Sequence, residues 1–374
     1  MASGLALSHP PLRLGNVVVD APFYQAGLAG YSDAAMRVVA REHGCPYCIT
    51  EAMLDQFLIA GGKGLKAAEL SDHDHPIAGQ LMGSHPADIA AGSDILVNLG
   101  YDVVDVNLAC PVKKIKKKCR GGHLLCVPDE AIAILEAVRE AMDRRADGGV
   151  PLTVKLRRAY DDTPEMAKAF ERVFEAAMEL GYAGATVHCR TVQQKYVGRG
   201  KWPFLRELTQ RYGADARARG FVIGGSGDIW TASDIFRMLD ETGVDWVSVA
   251  RGCIGNPWVF AQARAMMAGR ESSPPTVYAQ RDVLLRHFEL SVALHGEGMA
   301  SRMMRKFGIK FSRHHGDALA IKKAFIKVKS LDDWQAVLAE HYTADGPGVE
   351  AGLPEEALRD LQGEVSACGE PLGA

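Results

Sequence analysis

The sequence predicts an α/β fold, a TIM (β/α)8 barrel with a C-terminal helical bundle. Three observations carry that prediction. Up to about residue 255, short apolar runs alternate with amphipathic segments, the pattern of βα units around a parallel sheet. Eight such runs fall within roughly 250 residues, the size and rhythm of a barrel. After Pro257 the rhythm changes, and residues 278 to 345 read as helices without a strand pattern. A doubly wound sheet, the rival arrangement, would want a G-x-G-x-x-G fingerprint after its first strand, and residues 20 to 33 hold none.

The elements follow in order. Strands are expected near Val17–Pro22, Tyr47–Thr50, Ile77–Leu81, Val103–Leu108, Leu152–Lys155, Ala185–His188, Phe221–Ile223 and Trp246–Val249. Between them, Asp129–Asp143 and Pro164–Leu180 carry apolar residues at three- and four-residue spacing, the mark of helices with one buried face. Thr163-Pro164-Glu165 supplies an N-cap with proline at the first helical position. Four helices are expected in the bundle: Ala279–Leu294, Met299–His314, Asp317–Lys327 and Leu331–His341. The expected units are therefore a barrel over 1–268, a helical unit over 278–345, and a tail over 346–374 rich in Gly, Pro and Glu, with a poorly ordered end.

Composition bounds the function. With 47% hydrophobic and 24% charged residues the chain is ordinary globular protein, and its net charge of -3 excludes a generally basic nucleic-acid binder. Any such binding must come from local patches. No stretch approaches the ~20 apolar residues of a membrane span, and the first residues lack a signal-peptide pattern, so a cytoplasmic protein is expected. Eight cysteines scattered through such a chain point to reduced thiols. Cys45-Pro46-Tyr47-Cys48 has no second pair or His-rich partner, so no metal site is expected. A monomer is expected.

Polar and glycine residues cluster where the strands end, at Gln80, Asn107, Cys110, Lys155, Arg157, His188, Arg190, Gly224 to Asp228, and Arg251-Gly252. A barrel gathers those ends on one face, where active sites are built. Glycine loops after the last two strands, with Gly225, Ser226, Gly227, Arg251 and Gly252, let backbone approach a phosphate closely. A lysine ending an apolar strand needs something anionic or electron-rich to meet it. Lys155 with His188 on the neighbouring strand end suits a ring that gains negative charge on reduction, which describes a flavin.

Cys110 follows an apolar run, Tyr101 to Leu108, that reads as a buried strand, and Pro111 turns the chain out of the sheet. A thiol there can donate a proton, act as a nucleophile, or serve only as a small buried hydrophobe. Cys119 is its rival, in a loop whose lysines would favour thiolate. That loop carries Lys113, Lys114, Lys116, Lys117, Lys118 and Arg120, so the partner meeting the thiol is expected to be anionic and larger than a metabolite.

In their order, these residues resemble the bacterial flavin-dependent tRNA dihydrouridine synthases. The resemblance rests on Ala21-Pro22 with the stretch through Asp33 to Arg37, Gly79-Gln80-Leu81, Asp105-Val106-Asn107, Cys110-Pro111, Val154-Lys155-Leu156-Arg157, Val187-His188, Gly227-Asp228-Ile229 and Arg251-Gly252 through Trp258. It spans about residues 14 to 260, and the Arg302–Phe307 helix is similar to the family's tRNA-binding bundle. The resemblance implies FMN, with NADPH as its reductant and a flipped tRNA uridine as substrate. It further implies hydride transfer to C6, and Cys110 as the residue that protonates C5. Pro22, Gln80, Asn107, Lys155 and His188 are then expected on the flavin, with Gly225 to Gly227 and Arg251-Gly252 at its phosphate. Arg190, Arg302, Arg305 and Lys306 join the basic loop as expected RNA contacts. The chain departs from the family pattern in a longer first loop, Pro22 to Asp33, in Ala109 and Ser226, and in Gly121 to Leu125. Two other classes stay open: an FMN barrel acting on ribosomal RNA or on a small molecule in the manner of dihydroorotate dehydrogenase, and an RNA-binding barrel without chemistry.

Overall fold

The computed structural model describes residues 9–71, 73–112 and 119–362. Parallel strands β3 (Phe23–Gln25), β4 (Cys48–Ile49), β6 (Ile77–Met82), β7 (Val103–Leu108), β8 (Leu152–Arg157), β9 (Gly184–His188), β10 (Val222–Ser226) and β11 (Trp246–Val249) pair in the order β4-β3-β11-β10-β9-β8-β7-β6. Pairing of β4 with β6 closes the ring into the expected eight-stranded barrel. A two-residue strand β5 (Met53–Leu54) extends the C-terminal end of β6.

The first strand is corrected. Val17–Pro22 does not enter the barrel. Instead β1 (Leu12–Leu14) and β2 (Val17–Val19) form an antiparallel hairpin, and the barrel begins at Phe23. Leu14 and Val19 pack into a cluster with Tyr24, Tyr47, Val103, Val222 and Trp246, so the valine-rich run fills the floor of the barrel rather than its wall. Tyr24 lies 4.3 Å from Trp246 and 5.7 Å from Tyr47, ring to ring. The wall makes room for this stack at Gly224, where a Cβ would stand 2.3 Å from Trp246 Nε1. Side chains fill the lower barrel, and open space begins above them.

The covering helices are α1 (Ala34–Glu42), α2 (Asp55–Ile59), α3 (Lys63–Ala67), α4 (Pro86–Asn98), α5 (Pro128–Asp143), α6 (Pro164–Glu179), α7 (Trp202–Ala218), α8 (Ala232–Thr242) and α9 (Trp258–Met267). Thr163 caps α6 as expected, accepting from Met166 N, and a Thr231–Asp234 capping box starts α8. The bundle follows as α10 (Val277–His295), α11 (Glu297–Phe311), α12 (Ala318–Lys327) and α13 (Leu331–His341), and its core includes Phe288 tilted against Trp334 at 4.7 Å, ring to ring. Another helix, α14 (Glu355–Gln362), lies in the segment expected to be tail. No helix among the described residues is long and apolar enough to cross a membrane.

α10 and α11 pack against α1 and the loop after β3. Lys306 donates to Gly30 O and stands 4.3 Å over the Tyr31 ring; His295 Nε2 meets Asp33 Oδ2 at 2.8 Å, and Trp258 packs against Phe311. Beneath that loop, buried Asp74 takes Arg37 at 2.6 Å and Arg41 at 3.2 Å. Removing one partner of a buried ion pair leaves an uncompensated charge. Asp74→Ala is therefore expected to cost about 3–5 kcal/mol in a urea denaturation series. A loss below about 1 kcal/mol would mean that water already screens the two guanidinium groups.

Candidate active site

A cavity of about 220 Å³ opens at the C-terminal ends of the barrel strands. Its wall includes Gln80, Asn107, Cys110, Lys155, His188, Ser226, Gly227 and Arg251, so eight of the expected catalytic and cofactor residues share one space. Alternation along the strands explains the set. Side chains two residues apart on β7 and β8 face the same side, and the register sets Gln80 beside Asp105, Asp105 beside Thr153, and Asn107 beside Lys155.

Lys155 Nζ is closed off from water and has no hydrogen-bond partner among the described residues. Burial drives its ammonium down to about 7, against the opposing pull of Asp105, while Arg157 adds to the depression. His188, at the end of β9, is held well below the usual imidazole range by burial and then by the charges of Arg157, Lys155, Arg190 and Arg251. Its Nδ1 accepts from Arg190 N at 3.2 Å, so the neutral ring carries its proton on Nε2. Lys155 and neutral His188 thus line the cavity beside the guanidinium groups of Arg157 and Arg251.

Cys110 is half-buried, and burial pushes its thiol up, opposed by the Val112 N–H and the charge of Arg157. Its backbone is held on both sides. Asn107 Oδ1 accepts from Cys110 N and Ala109 N at 3.0 Å each, and Gly122 N donates to Cys110 O at 3.0 Å. Arg157 donates to Ala109 O at 2.8 Å and to Thr191 O and Lys195 O, tying the cysteine turn to the loop after β9. Cys119 does not line the cavity. Its thiol is also pushed up, by burial and by Glu130.

Several expected site residues stand elsewhere. Pro22 precedes β3, and its carbonyl accepts from Val247 N; Ala26 to Ala29, past the end of β3, line the cavity in its place. What reads as a long first loop is partly strand. Gly225 faces outward, since a Cβ there would meet Met238 Sδ of α8 at 2.6 Å, and Gly252 lies against the Ile229 carbonyl. Neither lines the cavity, and on β10 alternation presents Ser226, not Gly225, to the interior.

Arg190 is fully buried and bound to Asp228 at 2.6 Å, while buried Arg120 meets Gln56 Oε1 at 3.1 Å and Asp55 at 3.8 Å. Both are structural pairs rather than free cations for RNA. Arg302 is exposed, Arg305 is half-buried and Lys306 is engaged with the loop after β3. The lysines at 113, 114, 116, 117 and 118 lie outside the described residues.

Two aromatics were missed. Tyr196 and Trp230 flank the Arg251 guanidinium at 4.7 and 4.8 Å and hold it at the cavity wall. Tyr196 sits in a loop without periodicity, whereas Trp230 follows Gly227-Asp228-Ile229 directly and was within reach of the motif.

Residues 24–344 match the family model for dihydrouridine synthase. The chain belongs to the dihydrouridine synthase family. Curated family members with similar sequences include a probable tRNA-dihydrouridine synthase of Treponema pallidum, 28% identical over 90% of this chain and 97% of the relative. Another is the tRNA-dihydrouridine synthase B of Xanthomonas axonopodis pv. citri, 25% identical over 92% of this chain and all of the relative. Among solved structures, histamine dehydrogenase from Rhizobium sp. 4-9 superposes with a TM-score of 0.50 at 14% identity, covering 75% of this chain. The 6-hydroxypseudooxynicotine amine oxidase of Pseudomonas geniculata N1 does so with a TM-score of 0.51 at 12% identity, covering 73%. This dihydrouridine synthase family chain spans 50% and 49% of those two longer chains, and the likeness is one of barrel fold.

The buried ammonium has a consequence for stability. Between about pH 7 and pH 10.5 the unfolded chain holds a proton on Lys155 that the folded chain has released, so stability rises with pH across that window and the penalty is full below it. Lys155→Met is expected to stabilise the ligand-free protein near pH 6, by up to roughly 1.4 kcal/mol for each tenfold loss of proton affinity. The gain should shrink as pH climbs toward 10.5. Urea denaturation of both proteins at each pH measures it, and a gain independent of pH would show that the ammonium is not the source.

Proposed function

We propose that this chain reduces uridines of tRNA to 5,6-dihydrouridine, with FMN as its resident cofactor, NADPH as the reductant of that cofactor, and Cys110 as the proton donor. The observation that carries the reading is the meeting of Cys110, Lys155 and His188 in one cavity, on the strand ends of a dihydrouridine synthase family barrel. The residues fit a flavin. Lys155 Nζ, buried and unpartnered, and the Nε2–H of neutral His188 are suited to the electron-rich end of the ring, with Gln80 and Asn107 beside them. Ser226, Gly227 and Arg251 would hold the phosphate, Arg251 as a cation fixed between two aromatic faces.

The chemistry a bound, reduced flavin supplies is a hydride for C6 of the uracil. Cys110 supplies the proton for C5. Burial keeps its thiol protonated at neutral pH, the state a general acid requires, and the grips on the backbone of residues 109 and 110 aim it into the cavity. The thiolate left behind regains its proton from solvent, since the side chain is only half-buried. A base in a folded RNA must leave its stack to enter such a cavity. We assign the barrel to this chemistry and the helices over 278–345 to the grip on RNA, with exposed Arg302, and Arg305 on the same helix, facing phosphates.

Cys110→Ala is expected to retain flavin colour while losing dihydrouridine formation by about 10²–10⁴-fold, read by absorbance and by nucleoside analysis of treated tRNA. Undiminished product from that variant would sink the role. Separately, Arg302→Ala with Arg305→Ala should weaken tRNA binding and flatten the dependence of log affinity on log salt by about 0.7–0.9 for each phosphate that is no longer neutralised. An unchanged slope would return both arginines to the status of solvated surface.

A further inference from the structure

Asp105 has no part in that chemistry, does not line the cavity and is 2% exposed. It nevertheless ends a chain of hydrogen bonds that begins at the reacting cysteine. Its Oδ1 accepts from Thr153 Oγ1 at 2.6 Å, and its Oδ2 accepts from Gln80 Nε2 at 2.8 Å. Gln80 Oε1 accepts from Asn107 Nδ2 at 2.7 Å, and Asn107 Oδ1 accepts from the N–H groups of Ala109 and Cys110.

The direction of this chain is fixed at both ends. Backbone N–H groups can only donate, so they require the oxygen of Asn107 and turn its NH₂ toward Gln80. The carboxylate accepts, so it requires the NH₂ of Gln80 and turns that oxygen toward Asn107. The two ends agree on one arrangement of two amides. A primary amide between partners of equal preference could rotate, and a reversed Asn107 would set its NH₂ against two N–H groups. The carbonyls of residues 109 and 110 are held separately, by Arg157 and Gly122.

We propose that Asp105 is a positioning residue for Cys110: by orienting Gln80, and through it Asn107, it holds the amide oxygen of Asn107 on the backbone N–H groups of residues 109 and 110. The inference rests on Cys110 being the group that must be aimed. It differs from a simple packing role in being a matter of polarity, which a charge exchange can reverse and restore.

Amide hydrogen exchange at residues 109 and 110, measured on the cofactor-free full chain, tests it without any appeal to activity. Gln80→Glu removes the donor facing Asp105 and sets two carboxylates together. Exchange there should quicken about tenfold, the equivalent of one hydrogen bond worth about 1.4 kcal/mol, with α8 unchanged. Adding Asp105→Asn puts an NH₂ at position 105 opposite the new carboxylate, which still accepts from Asn107, so the double variant should return to the wild-type rate. If Gln80→Glu does not fold, Gln80→Met breaks the same links without adding charge and should quicken exchange equally. Unchanged exchange in the single variants, or a double variant as fast as Gln80→Glu, overturns the proposal. Should the wild-type protein make no dihydrouridine, the functional reading fails by itself, while the exchange data still decide the role of Asp105.

Discussion

A lysine ammonium enclosed in a barrel is the constraint on which the site depends. Ordinarily such a group would be left out of a core, because desolvation outweighs anything apolar packing returns. Here Lys155 is set above a filled floor of aromatic rings, with Asp105 in the layer below and Arg157 and His188 on neighbouring positions. Asp105 opposes the desolvation but does not bond the ammonium, whose hydrogens stay without acceptors among the described residues. A site that leaves a strong donor unmade in its interior is one shaped to be completed by something else.

Cations elsewhere serve a different end. α11 carries Arg302 outward and Lys306 inward, one turn apart, and only the first is fully available to a polyanion. Lys306 over Tyr31, His295 on Asp33 and Arg286 on Glu42 fasten the bundle to the segment that follows β3. That segment supplies Ala26 to Ala29 to the cavity, so the bundle braces one wall of the candidate active site. The face of α11 that carries Arg302 and the wall of the cavity are thereby parts of one packed unit.

Most of the barrel was legible because buried parallel strands are apolar runs and amphipathic helices have their own period, and seven of the eight expected strands overlap strands of the barrel. Val17–Pro22 misled because a β-rich run satisfies a floor hairpin as well as a wall strand, and only three-dimensional closure distinguishes them. In the site, residues that end strands were readable from their position. Arg120 and Arg190 were not: a guanidinium is assumed to seek water, and the acids that bury them, Asp55 and Asp228, are 65 and 38 residues away in sequence. The outward face of Gly225 follows from the same period of two that turns Ser226 inward. Pairings such as Asp105 with Thr153 and Gln80 depend on register, which a single sequence does not encode locally.

The choice between the two thiols turns on the same distinction. From the sequence, Cys119 amid lysines looks like a thiolate and Cys110 like a thiol, so proton affinity is expected to separate them. In the fold, burial raises both, and Glu130 adds to the rise at Cys119. Proton affinity therefore does not separate them. Place does: Cys110 faces the cavity with Lys155 and His188, whereas Cys119 lies in a separate depression with His85, Arg120 and Glu130. A proton donor needs a proton and access to the space its acceptor would occupy, and of the two cysteines only Cys110 lines the cavity.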